Sequence, residues 1–283
     1  MTGSRPIRVR AYPQLWRCIA GLLVATSRVS LIVIAVGLMT AAAPVSLSVL
    51  LQALTIFAAV PAIASWLVAR TWTVELERRD DQLVLARAGL RIEIPSGSIE
   101  RVAPWIIPLP GVGVCFRMQS GRVLPYAFEA EDLTPLLTML ADAGVESARR
   151  AAPHPLIVYA RAKRLGARRR WFYALGKFGL FPFVPTAVWF YAHQHIAYGA
   201  LLGQYYLEGL GPFLKTLTVT WGLSAVYLLL YASVWRVVVE AATLLATWLM
   251  PTRSMVARRS AETVGAIAYY LGIPVLVTVP FLS

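Results

Sequence analysis

Hydrophobic residues form long uninterrupted runs towards both ends of the chain and short alternating runs in the middle. Residues 29–68 carry no charge, which is enough for two membrane-spanning helices of about 20 residues each. Pro44 divides this run. Pro182 and Pro185 predict a kink in a later apolar run, because each removes a backbone donor. The predicted spans cover 19–43, 45–68, 171–193, a stretch from Thr216 onward, and 264–281.

From Trp72 the pattern changes to a period of two, which is typical of strands with one buried face. The predicted strands cover 72–78, 82–87, 90–94, 99–102, 112–118 and 123–128. A closing amphipathic helix is predicted over 131–143, with Leu133, Leu136, Leu137 and Leu140 on its apolar face. The fold class is therefore a mainly α-helical membrane protein with about five transmembrane helices and a small antiparallel β-domain capped by a helix.

These patterns divide the chain into four parts. An N-terminal tail and a transmembrane hairpin of two spans occupy residues 1–70, and the β-domain occupies 71–146. A basic juxtamembrane linker or helix occupies 147–170. A C-terminal membrane domain with three spans occupies 171–283.

The charges are distributed unevenly between these parts. Eleven of the fourteen acidic residues lie between Glu75 and Glu146, and the window 71–146 has a formal charge of −4 against +17 for the remainder. The net charge of +13 therefore belongs to the membrane flanks and does not indicate a nucleic-acid partner.

The basic clusters also predict the orientation. With five spans they all fall on one side, which is the cytoplasmic side by the positive-inside rule. We expect a multi-pass protein of the bacterial cytoplasmic (inner) membrane, with its N-terminus and β-domain in the cytosol and its C-terminus outside.

The middle of the chain resembles a known family. The order of elements is strand, turn, strand, Gly89 and strand, followed by Ile94-Pro95, Ile99 and Arg101-Val102, a further hairpin and a closing helix. This order resembles that of the bacterial pleckstrin-homology-like (PH-like) domains. The resemblance covers about residues 72–145. It implies a curved antiparallel sheet capped by a helix, used as a binding and assembly platform without catalytic residues. The domain lacks a cluster of basic residues on a strand and its loop that would indicate a lipid-phosphate site.

Two groups of charged residues are candidate interaction sites. A basic helix before the third span is expected to contact anionic headgroups, and it also anchors that span. Its basic residues are Arg161, Lys163, Arg164, Arg168, Arg169 and Arg170. Arg236 and Glu240 form the second group. They are an anchor at the inner interface if the fourth span starts at Thr216, and an intramembrane ion pair if that span is shifted towards 228–250.

His193 and His195, with Glu208 nearby, are weak candidates for an outer metal site, because imidazoles two residues apart can share a metal in an extended segment. The chain has only three histidines, so a polar helix end is the simpler interpretation. The sequence contains no nucleotide-binding, metalloprotease or paired-cysteine motif, and we expect no cofactor.

Two functions fit this sequence. The first is a non-enzymatic accessory or scaffold subunit whose PH-like domain docks a membrane or cytosolic protein partner within a larger membrane assembly. The second is a small transporter or lipid-handling protein that uses the C-terminal helices. An enzyme is disfavoured, because no catalytic constellation is present.

Overall fold

Seven antiparallel strands form one sheet in the computed structural model, which describes residues 6–40, 45–79, 81–87, 90–166 and 171–278. The strand order is β4-β3-β2-β1-β7-β6-β5. The strands are β1 (Ile7–Pro13), β2 (Thr73–Arg79), β3 (Gln82–Arg87), β4 (Leu90–Pro95), β5 (Ile99–Pro104), β6 (Gly113–Met118) and β7 (Val123–Glu129). The six strands predicted between 72 and 128 are confirmed within one or two residues.

Strand β1 is the element that the sequence analysis missed. It lies between β2 and β7, and Arg10 is paired with Thr73 on one side and with Glu129 on the other. The predicted division at residue 71 does not include this strand. Ile7, Val9 and Ala11 alternate with arginines, so the segment combines a strand pattern with the basic composition of a membrane flank.

The chain forms two compact units. The first comprises the described residues of 1–30, 52–167 and 241–259, and it contains the whole sheet. The second comprises those of 31–51, 168–240 and 260–283.

One face of the sheet is covered by three short helices, α4 (Thr134–Asp142), α5 (Glu146–Ala151) and α6 (Pro155–Gly166). The predicted apolar stripe of the closing helix is confirmed, since Leu133, Leu136, Leu137 and Leu140 are all at most 2% exposed. Helix α4 begins three residues later than predicted. There the Asp132 carboxylate accepts a hydrogen bond from the backbone N–H of Thr134 at 2.9 Å.

Among the described residues, three helical segments are long and apolar enough to cross a membrane: Gln14–Leu38, Leu47–Thr71 and Leu210–Leu249. The first belongs to α1 (Gln14–Thr40), which begins five residues earlier than predicted because β1 leads directly into it. The second consists of α2 (Leu47–Ala53), a π-helical segment (Leu54–Ala59) and α3 (Val60–Thr71). The predicted turn at Pro44 lies outside the described residues.

The predicted kink in the third apolar run is confirmed. Helix α7 (Trp171–Leu175) passes into a π-helical segment (Gly176–Leu180), and a new helix, α8 (Phe183–Tyr198), begins just after Pro182. After α9 (Gly203–Glu208), helix α10 (Leu210–Leu249) runs for 40 residues, about twice the length needed for one span. A 3₁₀ turn and α11 (Ser254–Thr278) follow. Membrane crossing by the third and fifth apolar runs remains a prediction.

Within the second unit, α10 and α11 approach closely at small residues. A Cβ atom added to Gly272 would lie 2.7 Å from the Tyr231 hydroxyl, and that hydroxyl donates a hydrogen bond to the carbonyl of Ala268 at 3.2 Å. Leu228 and Ala232 pack with Tyr269 and Ile273 in the buried cluster beside this contact. Close backbone approach at glycine is a usual means of helix association in lipid.

The predicted orientation can be tested with single cysteines in a background lacking Cys18 and Cys115. Tyr206 is 77% exposed in the predicted outer loop, and Val123 is 63% exposed in the β-domain. In intact cells, an impermeant maleimide should label Tyr206→Cys and leave Val123→Cys unlabelled until the membrane is permeabilised. The reverse labelling pattern would invert the predicted topology.

The helical cap predicts a strongly destabilising substitution. Leu137→Asp places an unpaired carboxylate in the core, and the expected loss exceeds about 3 kcal/mol of unfolding free energy. A thiol-reactive dye that reports exposure of the half-buried Cys115 during heating measures this in a Cys18→Ser background. The full chain is needed, because a 71–146 fragment lacks β1. The neighbouring exposed Thr138→Asp is the control, and equal melting of the two variants would contradict the cap.

Candidate functional site

The predicted basic helix corresponds to α6, and the structure shows that only part of its surface is available. Leu156, Ile157 and Ala160 are buried against the core of the first unit, whereas Arg161 and Arg164 are exposed. Arg164 pairs with Asp132 at 3.2 Å, and the Lys163 ammonium lies 5.7 Å from the Tyr159 ring. Arg168, Arg169 and Arg170 lie outside the described residues. Contact of this helix with anionic lipid remains a prediction.

Arg236 and Glu240 form an i,i+4 ion pair at 2.5 Å on α10, and the arginine side chain is 50% exposed. Just beyond them, Leu244 packs against the core of the β-domain and Trp248 lies 5.9 Å from the His154 ring. The end of α10 therefore belongs to the unit that contains the sheet, as does the whole range 241–259. The interfacial and the intramembrane interpretations of the pair both remain predictions.

The two candidate metal ligands at the end of α8 have other neighbours. His195 Nδ1 lies 3.1 Å from the Tyr191 carbonyl oxygen, and His193 packs edge-on against Tyr198 at 6.0 Å. Glu208 accepts hydrogen bonds from the Tyr198 hydroxyl at 3.1 Å and from Gln204 Nε2 at 2.9 Å. Within the described part of the chain, no group of three or more His, Cys, Asp or Glu residues is placed to hold a metal.

Gln204 is the centre of a buried polar network in the second unit. Its side chain accepts a hydrogen bond from Gln194 Nε2 at 2.9 Å, and its own amide also reaches Thr216 Oγ1 at 3.1 Å. Gln194 is fully buried and Gln204 is 4% exposed. Because buried amides must be paired, this network ties α8, α9 and α10 together and gives Glu208 a structural role.

A groove of about 540 Å³ lies beside the helical cap, between α4, α5, α6 and the turn that follows α10. The sequence pattern does not predict this groove, because its walls come from separate parts of the chain. Its lining is mostly apolar, and it includes two arginines and no acidic residue. The described lining residues are Thr134, Leu137, Thr138, Ala141, Ala148, Arg149, Ala152, Ile157, Val158, Arg161, Ala162, Leu165, Pro251, Ser254 and Met255.

The exposed surface of this groove combines apolar and positive groups. Leu165 is 53% exposed at the rim, and Arg161, one helical turn earlier, makes no ion pair with a described residue. Arg149 is held near Glu146 at 3.5 Å. The groove continues past Thr134 and Thr138 into a more open cleft that Arg78 also lines. No imidazole, thiol or carboxylate occurs among the described lining residues of this groove.

A buried polar cluster lies on the opposite face of the sheet. Glu129 has a side chain only 7% exposed and pairs with Arg10 at 2.6 Å, which ties the ends of β1 and β7. Tyr12 and Trp105 pack beside it with Ala20 of α1. Tyr12 Oη, Trp105 Nε1 and Glu129 Oε2 are buried, and none reaches a hydrogen-bond partner among the described residues.

Two glycines make room for this cluster. A Cβ atom at Gly111 would lie 2.5 Å from Glu129 Oε1, and one at Gly113 would lie 2.5 Å from the Trp105 ring. Close packing thus requires glycine at both positions. Glu129 lies two residues after the buried Ala127, so the two side chains point to the same face of β7. This alternation is the feature of the sequence that indicates an inward-facing carboxyl group.

Comparison with protein-family models, curated proteins and solved structures finds no match to this chain.

The buried carboxyl group predicts a pH dependence. Burial raises the pKa of Glu129 above its ordinary value of 4.5, and Arg10 opposes this shift. The folded protein thus binds a proton more tightly than the unfolded chain, so stability from this group is lost as the pH rises above 4.5. We expect the wild-type protein to lose melting temperature relative to Glu129→Gln over that rise. The exposed Glu131→Gln is the control, and a parallel pH profile for all three proteins would contradict the assignment.

Proposed function

We propose that this chain is a non-enzymatic accessory or scaffold subunit of a larger membrane assembly, and that its β-domain is a PH-like platform that docks a protein partner. The seven-stranded antiparallel sheet and the capping helix α4 support the PH-like assignment. The groove beside that helix supports the docking role, and it is the observation that carries the proposal.

The chemistry of the groove indicates the kind of partner. Its floor contains the buried Leu137 and Ile157, while Arg161 and Leu165 are exposed at its rim. An amphipathic helix places apolar side chains on one face at spacings of three and four residues, and such a face fits a hydrophobic groove. Acidic residues along the edge of that helix would complement Arg149 and Arg161. The proposed partner segment is therefore an acidic amphipathic helix.

The position of the groove gives docking a structural consequence. Pro251, Ser254 and Met255, which follow α10, form one wall of it. A bound helix would contact both the cap of the β-domain and the turn between the two longest C-terminal helices. Such a shared surface suits a scaffold subunit, because a partner binds there only when the helical cap and the turn after α10 are both folded.

Site-specific photocrosslinking in native membranes tests the proposal. A photoreactive residue at Leu165 should crosslink to a defined protein, whereas one at the exposed Val123 should not. Arg161→Glu should reduce the yield of that crosslink by about 10-fold, if the lost charge pairing is worth about 1.4 kcal/mol.

The exposed Arg150 lies next to the groove in sequence but outside its lining, so Arg150→Glu is the matched control. The acidic segment of the crosslinked protein should regain crosslinking to Arg161→Glu when one of its carboxylates is changed to lysine. Crosslinks to lipid alone would contradict the protein-docking function. A crosslink yield that does not change with the charge at position 161 would contradict it as well.

A further inference from the structure

The loop between β5 and β6 combines strong apolar character with high exposure. No charged residue occurs between Arg101 and Arg117, although the surrounding β-domain is rich in charge. At its tip, Ile106 is 91% exposed and Ile107 is 61% exposed. Two neighbouring exposed isoleucines on a charged domain need an environment that accepts apolar surface.

The same loop lies against the first membrane-spanning helix. A Cβ atom on Gly21 of α1 would lie 3.6 Å from the Cβ atom of Leu109, which is an ordinary contact distance. At the base of the loop, the Arg17 guanidinium lies 3.9 Å from the centre of the Trp105 ring. The loop therefore follows α1 from Arg17 towards Gly21, in the direction in which the helix enters its apolar stretch.

The depth of this contact can be estimated along the helix. Trp16 packs near Trp72, the residue that follows α3, with ring centres 6.3 Å apart, and tryptophans of this kind concentrate at membrane interfaces. Gly21 lies five residues further along α1, or about 7.5 Å at 1.5 Å per residue. Its neighbour Leu22 is 69% exposed within the apolar span. The level at which Leu109 contacts α1 is therefore a lipid-facing level.

The backbone of the loop suits a region with little water. Pro108 and Pro110 have no N–H group, so they remove two donors that the interface would leave poorly solvated. The N–H of Leu109 donates to the carbonyl of Ile107 at 2.9 Å. The prolines also restrict the backbone of the loop.

We propose that residues 106–109 form a membrane-dipping loop that inserts Ile106 and Ile107 into the headgroup and upper acyl region beside the first span. Its occupant is the lipid bilayer. The loop holds the edge of the sheet at the membrane surface by apolar contact, so this attachment is insensitive to salt, unlike the contact predicted for the basic helix. The inference does not depend on the docking function of the groove.

Fluorescence quenching of the full chain in vesicles tests the loop. Single cysteines at Ile106→Cys and Val123→Cys, in a background without Cys18 and Cys115, carry an environment-sensitive label. Val123 is the matched control, because it is 63% exposed and lies by the opposite end of β6. Vesicles of neutral phospholipid carry nitroxide groups on the upper acyl chain, and iodide is the aqueous quencher.

The label at 106 should lose fluorescence to the lipid-borne nitroxide, emit at shorter wavelength and resist iodide, at both low and high salt. The label at 123 should show the opposite behaviour. Iodide quenching at 106 equal to that at 123 would overturn the proposal. Protection of 106 from both quenchers would overturn it as well, because a second copy of the chain would then cover the loop.

Discussion

The hydrogen-bonded pairing of β1 between β2 and β7 is the constraint on which the rest of the first unit depends. Because β1 runs directly into α1, and α3 is followed by β2, the first two apolar helices form an insertion between neighbouring antiparallel strands. Strands paired in this way lie about 4.8 Å apart, so the bases of the two helices start from adjacent points. The sheet and the helix residues next to it, up to residue 30 in α1 and from residue 52 to the end of α3, therefore belong to the first unit. Their junction buries Tyr12, Ala20 and Trp105 together.

Much of this sheet was predictable, and the exception has a physical reason. Strands β2 to β7 follow one another along the chain and alternate between polar and apolar residues, so local pattern is sufficient. Strand β1 pairs with residues far away in sequence: Arg10 and Glu129 are 119 positions apart. Its arginines also satisfy the positive-inside rule. Because the arginines of this segment are already explained as a membrane flank, the sequence pattern alone does not show that the same segment is also a strand.

The candidate sites were less predictable, because each depends on faces brought together by tertiary contact. The sequence predicts α6 as a basic helix, but it does not show that Leu156 and Ile157 bury against the sheet core and leave Arg161 at the rim of a groove. Ser254 and Met255, which form one wall of this groove, lie about 100 residues after α6 in the sequence. The buried Glu129 depends on two glycines and on β1, none of which carries a recognisable motif.

The position of β1 also affects the order of events during synthesis. This strand leaves the ribosome before any of its partners exists, and two apolar helices are made before β2 appears. Its other neighbour, β7, follows only after the remaining five strands. Long-range strand pairing of this kind is slow to form, and an unpaired strand is open to incorrect association in the interval. The sheet can therefore close only after both apolar helices have been made and β2 has returned to β1, which makes completion of the β-domain depend on where those two helices have been placed.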